Sequence, residues 1–147
     1  MTELTWKYVE EAADLNEINK VEDILGVKFP EDFIQCAIIN HGAMPTLNTF
    51  DFEGYKGASV GELLSFNSSS SIYVLNIFND IRDRLLDRVI PIANDPGGNF
   101  ICFDYRKKFV PTVVYWDHER AFENPSQSVI YICETFTEFL NKLYIIE

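Results

Sequence analysis

Cysteine and histidine are scarce, with three and two copies in 147 residues. Cys36, Cys102 and Cys133 are far apart, odd in number and set in apolar runs such as Phe100-Ile101-Cys102-Phe103. That pattern suits small core hydrophobes and excludes a disulfide framework. A zinc site needs closely spaced cysteines with histidines at ligand spacing, and His41 and His118 have no such neighbours, so no metal is expected. Neither glycine-rich phosphate pattern, G-x-G-x-x-G or G-x-x-x-x-G-K-S/T, occurs, and no cofactor is expected. No apolar run approaches the roughly 18 residues of a membrane span. The start, Met1-Thr2-Glu3-Leu4, lacks an apolar run ahead of a small-residue cleavage site, which reads as no secretory leader and a cytoplasmic location. Basic residues are few: 12 against 23 acids, a formal net charge of -11. Such a field repels nucleic acid and attracts basic partners, although it also simply keeps a protein soluble.

Apolar material is plentiful. With 47% hydrophobic and 14% aromatic residues at this length, one core can form without staples. No repeat, low-complexity segment or boundary interrupts the chain, so residues 1–147 are expected to be a single domain.

Trp6, Val9 and Ala12-Ala13 suggest a short first helix. Leu15, Ile18, Val21, Ile24 and Leu25 follow helical spacing up to Gly26, and Pro30-Glu31-Asp32 opens another helix with the stripe Phe33, Ile34, Ala37 and Ile38, ended by Asn40-His41-Gly42. Glycine-punctuated strands are expected at Thr49–Phe52 and Val60–Phe66, at the edge of a sheet. Asn67 and Ser68 to Ser71 offer caps for a helix carrying Val74, Phe78, Ile81 and Leu85. Then the period falls to two: Val89–Ala93, Asn99–Tyr105 and Thr112–Asp117 read as strands, the second apolar on both faces and therefore central. Connections this short leave no room for crossover helices, so the sheet should be mainly antiparallel. Val129–Cys133 suits an extended segment, and Phe136, Phe139, Leu140, Leu143 and Tyr144 form a last helical stripe. The expectation is an α+β fold, a central mainly antiparallel sheet flanked by N-terminal and C-terminal helices.

Asp95-Pro96-Gly97-Gly98 combines a fixed φ with two residues free to take positive φ, the chemistry of a tight turn at Pro96, Gly97 and Gly98. Phe100, Ile101 and Cys102 supply none of the oxygens a calcium loop would need next. Asp117-His118-Glu119 could form an acid-base cluster, but neighbours on a strand point to opposite faces, which favours a polar strand end. No nucleophile signature occurs, so no catalytic residue is assigned and the chain is not expected to be an enzyme. A small hydrolase using Asp95, Asp117 and His118 is the reading left for catalysis. The acids Asp51, Glu53, Asp95, Asp104, Asp117 and Glu119 fall at strand ends and loops of one sheet, where a scaffold presents binding residues; they are the candidate partner contacts, the alternative being a solvated rim.

Several of these pieces together resemble the SMI1/KNR4 family, also called the SUKH superfamily. Ile24-Leu25-Gly26-Val27-Lys28-Phe29-Pro30-Glu31-Asp32-Phe33 is similar to the family's opening block, and Asn40-His41-Gly42 to its N-G-G helix end. Val89 to Asp95, Gly97 to Asp104 and Pro111 to Glu119 follow the later blocks in order, so the resemblance spans roughly Asn16 to Leu143. Pro96 replaces the first glycine of the family's D-G-x-G loop, and His41 stands where a glycine is common. The resemblance implies an α+β fold and, for bacterial members, an immunity protein that binds and neutralises a cognate toxin, often a nuclease. Its fungal members imply an alternative, a regulatory interaction scaffold in cell-wall control, whose long disordered arms this chain lacks. A charge of -11 suits a basic, nuclease-like protein partner, with no direct nucleic-acid or membrane binding.

Overall fold

Helix signals in the first third of the chain are strong where local capping and tertiary burial agree. The computed structural model describes residues 3–146. Its first element is a two-residue strand, β1 (Trp6–Lys7), followed by helix α1 (Leu15–Leu25). Asp14 accepts from Asn16 N at 2.9 Å while Glu17 returns to Asp14 N at 3.1 Å, a reciprocal capping box. Gly26, at φ +71°, closes the helix. Helix α2 (Glu31–Asn40) starts after Pro30 and buries Phe33 and Ala37.

The helix expected over Trp6–Ala13 does not form. Trp6 pairs with Pro45 and Lys7 with Met44 in strand β2 (Met44–Pro45), and Tyr8 takes φ +62°, which no right-handed helix tolerates. Long-range pairing overrides a weak local pattern here.

Strand β3 (Thr49–Phe52) turns at Gly54 into β4 (Tyr55–Ser59), a hairpin of its own rather than the edge of a larger sheet. The expected strand at Val60–Phe66 is displaced to β4. Val60–Phe66 is instead a buried strap along the sheet edge, with Leu64 N donating to Ile92 O at 2.9 Å and Asn94 N to Glu62 O at 3.0 Å. Helix α3 (Val74–Ile81) follows. Its N-cap is Tyr73, without a side-chain cap; Asn67 and Ser70 instead bond to Ser69 N and Ile72 N within the turn before it, and Leu85 lies beyond its end.

The central sheet is β5 (Val89–Asn94), β6 (Phe100–Asp104), β7 (Thr112–Trp116) and, after helix α4 (His118–Glu123), β8 (Val129–Cys133), antiparallel throughout and in chain order. Pro91 is tolerated in β5 because that strand is at the edge. Helix α5 (Phe136–Lys142) ends the described fold. Leu143 and Tyr144 have left the helix, and Tyr144 exchanges backbone bonds with Thr49 at 2.8 and 2.9 Å.

Strand alternation divides β6 between two apolar layers. Ile101 and Phe103 join the main core, where Phe33 meets Phe103 and Phe136 edge-on, each at 5.1 Å. Cys102 faces a smaller core with Val89, Val114, Trp116, Ile81 and Ala121. The sheet is thus covered by α1, α2, α5 and most of α3 on the main-core side and by α4 with Ile81, at the end of α3, on the other.

Candidate functional site

At one end of the sheet, the β5–β6 loop and the start of α4 form a connected polar framework. Gly98, at φ +89°, completes the turn through Pro96 and Gly97, with Asp95 N donating to Asn99 O at 3.1 Å. Oδ1 of Asp95 accepts from Gly97 N and Asn99 N, both at 2.8 Å. Its Oδ2 accepts from Asn99 Nδ2 at 3.2 Å and from the Tyr115 hydroxyl at 2.7 Å. Asn99, so oriented, turns Oδ1 toward His118 and accepts from its backbone N at 3.0 Å and from Nδ1 at 2.7 Å. The result is a chain Tyr115–Asp95–Asn99–His118. Burial pushes the Tyr115 phenol up, and the bond to Asp95 adds to it.

Asp117 is not a strand residue paired back-to-back with His118, as the sequence suggested. It is the N-cap of α4, accepting from Glu119 N at 3.0 Å and Arg120 N at 3.2 Å. His118 opens the helix, and the two side chains engage different partners, Asp117 the backbone of α4 and His118 the Asn99 side chain.

Arg120 then joins α4 to the β3–β4 hairpin. Its guanidinium lies 5.8 Å from the Tyr55 ring centroid, its Nη2 donates to the Tyr55 hydroxyl, and Nε is 3.8 Å from Asp117. The hairpin carries Glu53 at its tip and α4 carries Glu119.

The six candidate acids therefore divide by what they already hold. Asp95 and Asp117 are engaged as above. Asp51 accepts from Gly57 N at 2.8 Å and the Tyr144 hydroxyl at 2.7 Å, bonds that hold its carboxyl below the usual range. Asp104 lies at the far end of β6, opposite Val89 and Thr112, and so does not share a loop cluster with Asp95. Burial would raise the Asp104 carboxyl, but a bidentate pair from Arg106 at 3.0 Å, the Arg106 N–H and the nearby cations bring it below its usual value. Only Glu53 and Glu119 are exposed and, among the described residues, free of side-chain hydrogen bonds.

Three further residues complete this face: Tyr55, Phe122 and Glu123. Phe122 is 85% exposed and, with Glu119, Glu123, His118 and Arg84, lines a shallow concavity. For Phe122 and Glu123 the signal is Asp117 as a helix cap followed by Glu119 in the first turn, a pattern that also suits a strand end. Among the described residues, no group of three or more His, Cys, Asp or Glu side chains is placed to hold a metal, and no helix is long and apolar enough to cross a membrane.

Comparison with known proteins places this architecture. One relative, the SPbeta prophage-derived uncharacterized protein YokK of Bacillus subtilis (strain 168), is 36% identical over 61 residues, which is 42% of this chain. The match spans 29% of that relative's length. The family described as SMI1 / KNR4 family (SUKH-1) matches residues 12–142. With nearly the whole fold, from the approach to α1 through the end of α5, inside that match, the chain belongs to the SMI1/KNR4 (SUKH-1) family.

Proposed function

We propose that this protein is an immunity protein of a bacterial polymorphic toxin system, which binds a cognate toxin in the cytoplasm of the producing cell and neutralises it. The observation that carries the reading is membership of the SUKH-1 family over residues 12–142 in a chain whose net charge is -11. Bacterial members of this family have the character of immunity proteins. A negative field of this size speeds encounter with a basic surface such as the substrate groove of a nuclease, where carboxylates take the place of phosphates. The protein works by occupying its partner and not by catalysis, and it contacts neither nucleic acid nor membrane itself. Glu53 and Glu119 contact the toxin directly, while Asp51, Asp95, Asp104 and Asp117 contribute to the field from positions fixed by their internal bonds.

The test is co-expression with the toxin encoded beside this gene. Growth should be restored by this protein and not by an empty vector. A toxin that kills equally in both strains, with no binding between purified components, removes the proposal.

A further inference from the structure

The acids describe charge, but a tight complex also needs a desolvated apolar anchor, since affinity concentrates in a few well-packed residues near the centre of an interface. Among the described residues, two phenylalanines are almost fully in solvent, Phe109 at 90% and Phe122 at 85% exposure. Their surroundings differ in charge. Phe109 follows Arg106-Lys107-Lys108 and borders a cleft of mixed charge, with Glu22 and Asp23 beside Lys28 and Arg88. Phe122 stands on α4 with Glu119 one turn before it and Glu123 beside it, both exposed, while the nearby cations are held internally, Arg84 over Trp116 and Arg120 over Tyr55.

The mounting of Phe122 is rigid. Asp117 caps the helix, Ala121 is buried in the smaller core against Trp116, and Arg120 is held on Tyr55. An exposed phenylalanine on so constrained a helix loses little conformational freedom when covered, which is the property of a preorganised anchor. Its neighbours Glu119 and Glu123 have no internal partner among the described residues, so a complementary surface meets them unpaired.

We infer that Phe122 is the central anchor of the partner interface, inserting into an apolar pocket whose rim is lined by lysine or arginine, with Glu119, Glu123 and Glu53 facing that rim. The partner chemistry follows from sign: an acidic rim around an aromatic is complementary to a basic rim around a hydrophobic hole. This assignment rests on the toxin-binding reading, and the experiment separates the two.

The probe is the catalytically inactivated C-terminal domain of the toxin encoded beside this gene, with binding followed by surface plasmon resonance. Phe122→Ala should weaken binding by at least ~30-fold, mostly through faster dissociation, while leaving the far-UV spectrum and thermal midpoint unchanged. Glu119→Gln with Glu123→Gln should slow association and flatten its salt dependence. Phe109→Ala should bind as wild type does. Wild-type binding that Phe122→Ala alters less than twofold, or a loss on Phe109→Ala instead, overturns the anchor while sparing the toxin reading. No binding by the wild type overturns both.

Discussion

The Tyr115 hydroxyl donates to Oδ2 of Asp95 across 2.7 Å, so an interior strand holds the loop that enters its neighbour. Asp95 accepts three further bonds, from Gly97 N, Asn99 N and Asn99 Nδ2. A turn that could be mobile becomes part of the sheet.

Removal of that acceptor is therefore a large perturbation for a loop residue. Asp95→Ala is expected to lower stability by about 2–3 kcal/mol, and Tyr115→Phe by about 1 kcal/mol, since bonds to a charged acceptor exceed neutral ones. The double variant should cost less than the sum, because both act on one bond. Urea midpoints of the four proteins measure this; strictly additive losses would mean the contact is not coupled.

Two tyrosines set the alkaline limit. Burial pushes the Tyr105 and Tyr115 phenols up, Glu22 adding to the first and Asp95 to the second. Above the unfolded value of about 10, the unfolded chain loses these protons while the folded chain keeps them, so stability is complete below that pH and falls as pH rises through it. The buried thiols of Cys102 and Cys133, raised by burial, contribute the same trend from about pH 8.5. Stability measured between pH 9 and 11 should decline less steeply in Tyr105→Phe and Tyr115→Phe than in wild type. Equal slopes would refute the assignment.

Asp104 works in the opposite direction. Its carboxyl is lowered, so its contribution is present above the unfolded value of about 4 and lost as pH falls toward the folded one. Arg106→Ala removes both guanidinium bonds, 3.0 Å each. At neutral pH the variant should lose up to about 1 kcal/mol, the pair being partly exposed. Its further loss between pH 5 and 3 should be smaller than that of wild type in parallel urea titrations.

His41, one of two departures from the family pattern, ties the N-terminal segment to the core. Phe66 N donates to its Nδ1 at 3.0 Å, so the ring carries its proton on Nε2 and gives it to Glu11 O at 2.7 Å. Ser65 and Ser70 hold Glu10 alongside at 2.8 and 3.1 Å. His41→Gly should cost about 2–3 kcal/mol, since it leaves a buried N–H unpaired and a cavity behind. Hydrogen exchange should accelerate in residues 4–13 and remain unchanged in α4; uniform acceleration would show a global effect instead.

Periodic apolar residues made most of this architecture readable. The alternation around Phe100 to Phe103 located a strand covered on both faces, and Gly26, Pro30 and Gly42 marked real helix limits because each acts through local backbone geometry. What was hidden depended on distant partners. Nothing near Trp6 announces its pairing with Pro45, and Val60 to Phe66 is apolar because it straps the edge of β5, a role with the same composition as a strand. In the candidate site, acidity was visible but engagement was not: whether Asp51 or Asp117 faces solvent depends on Gly57, Tyr144 and the backbone of α4. Phe122 is hidden in the sequence because Asp117, directly after β7, has the composition of a strand end although it caps a helix.

The most direct test of the proposed toxin neutralisation is to titrate the activity of the toxin domain encoded beside this gene, a nuclease under that proposal, with the purified protein. Activity should fall linearly to background at one equivalent, and the association rate should drop steeply as salt is raised, as expected for an acidic protein meeting a basic groove. Activity that persists in tenfold excess of this protein would contradict the account.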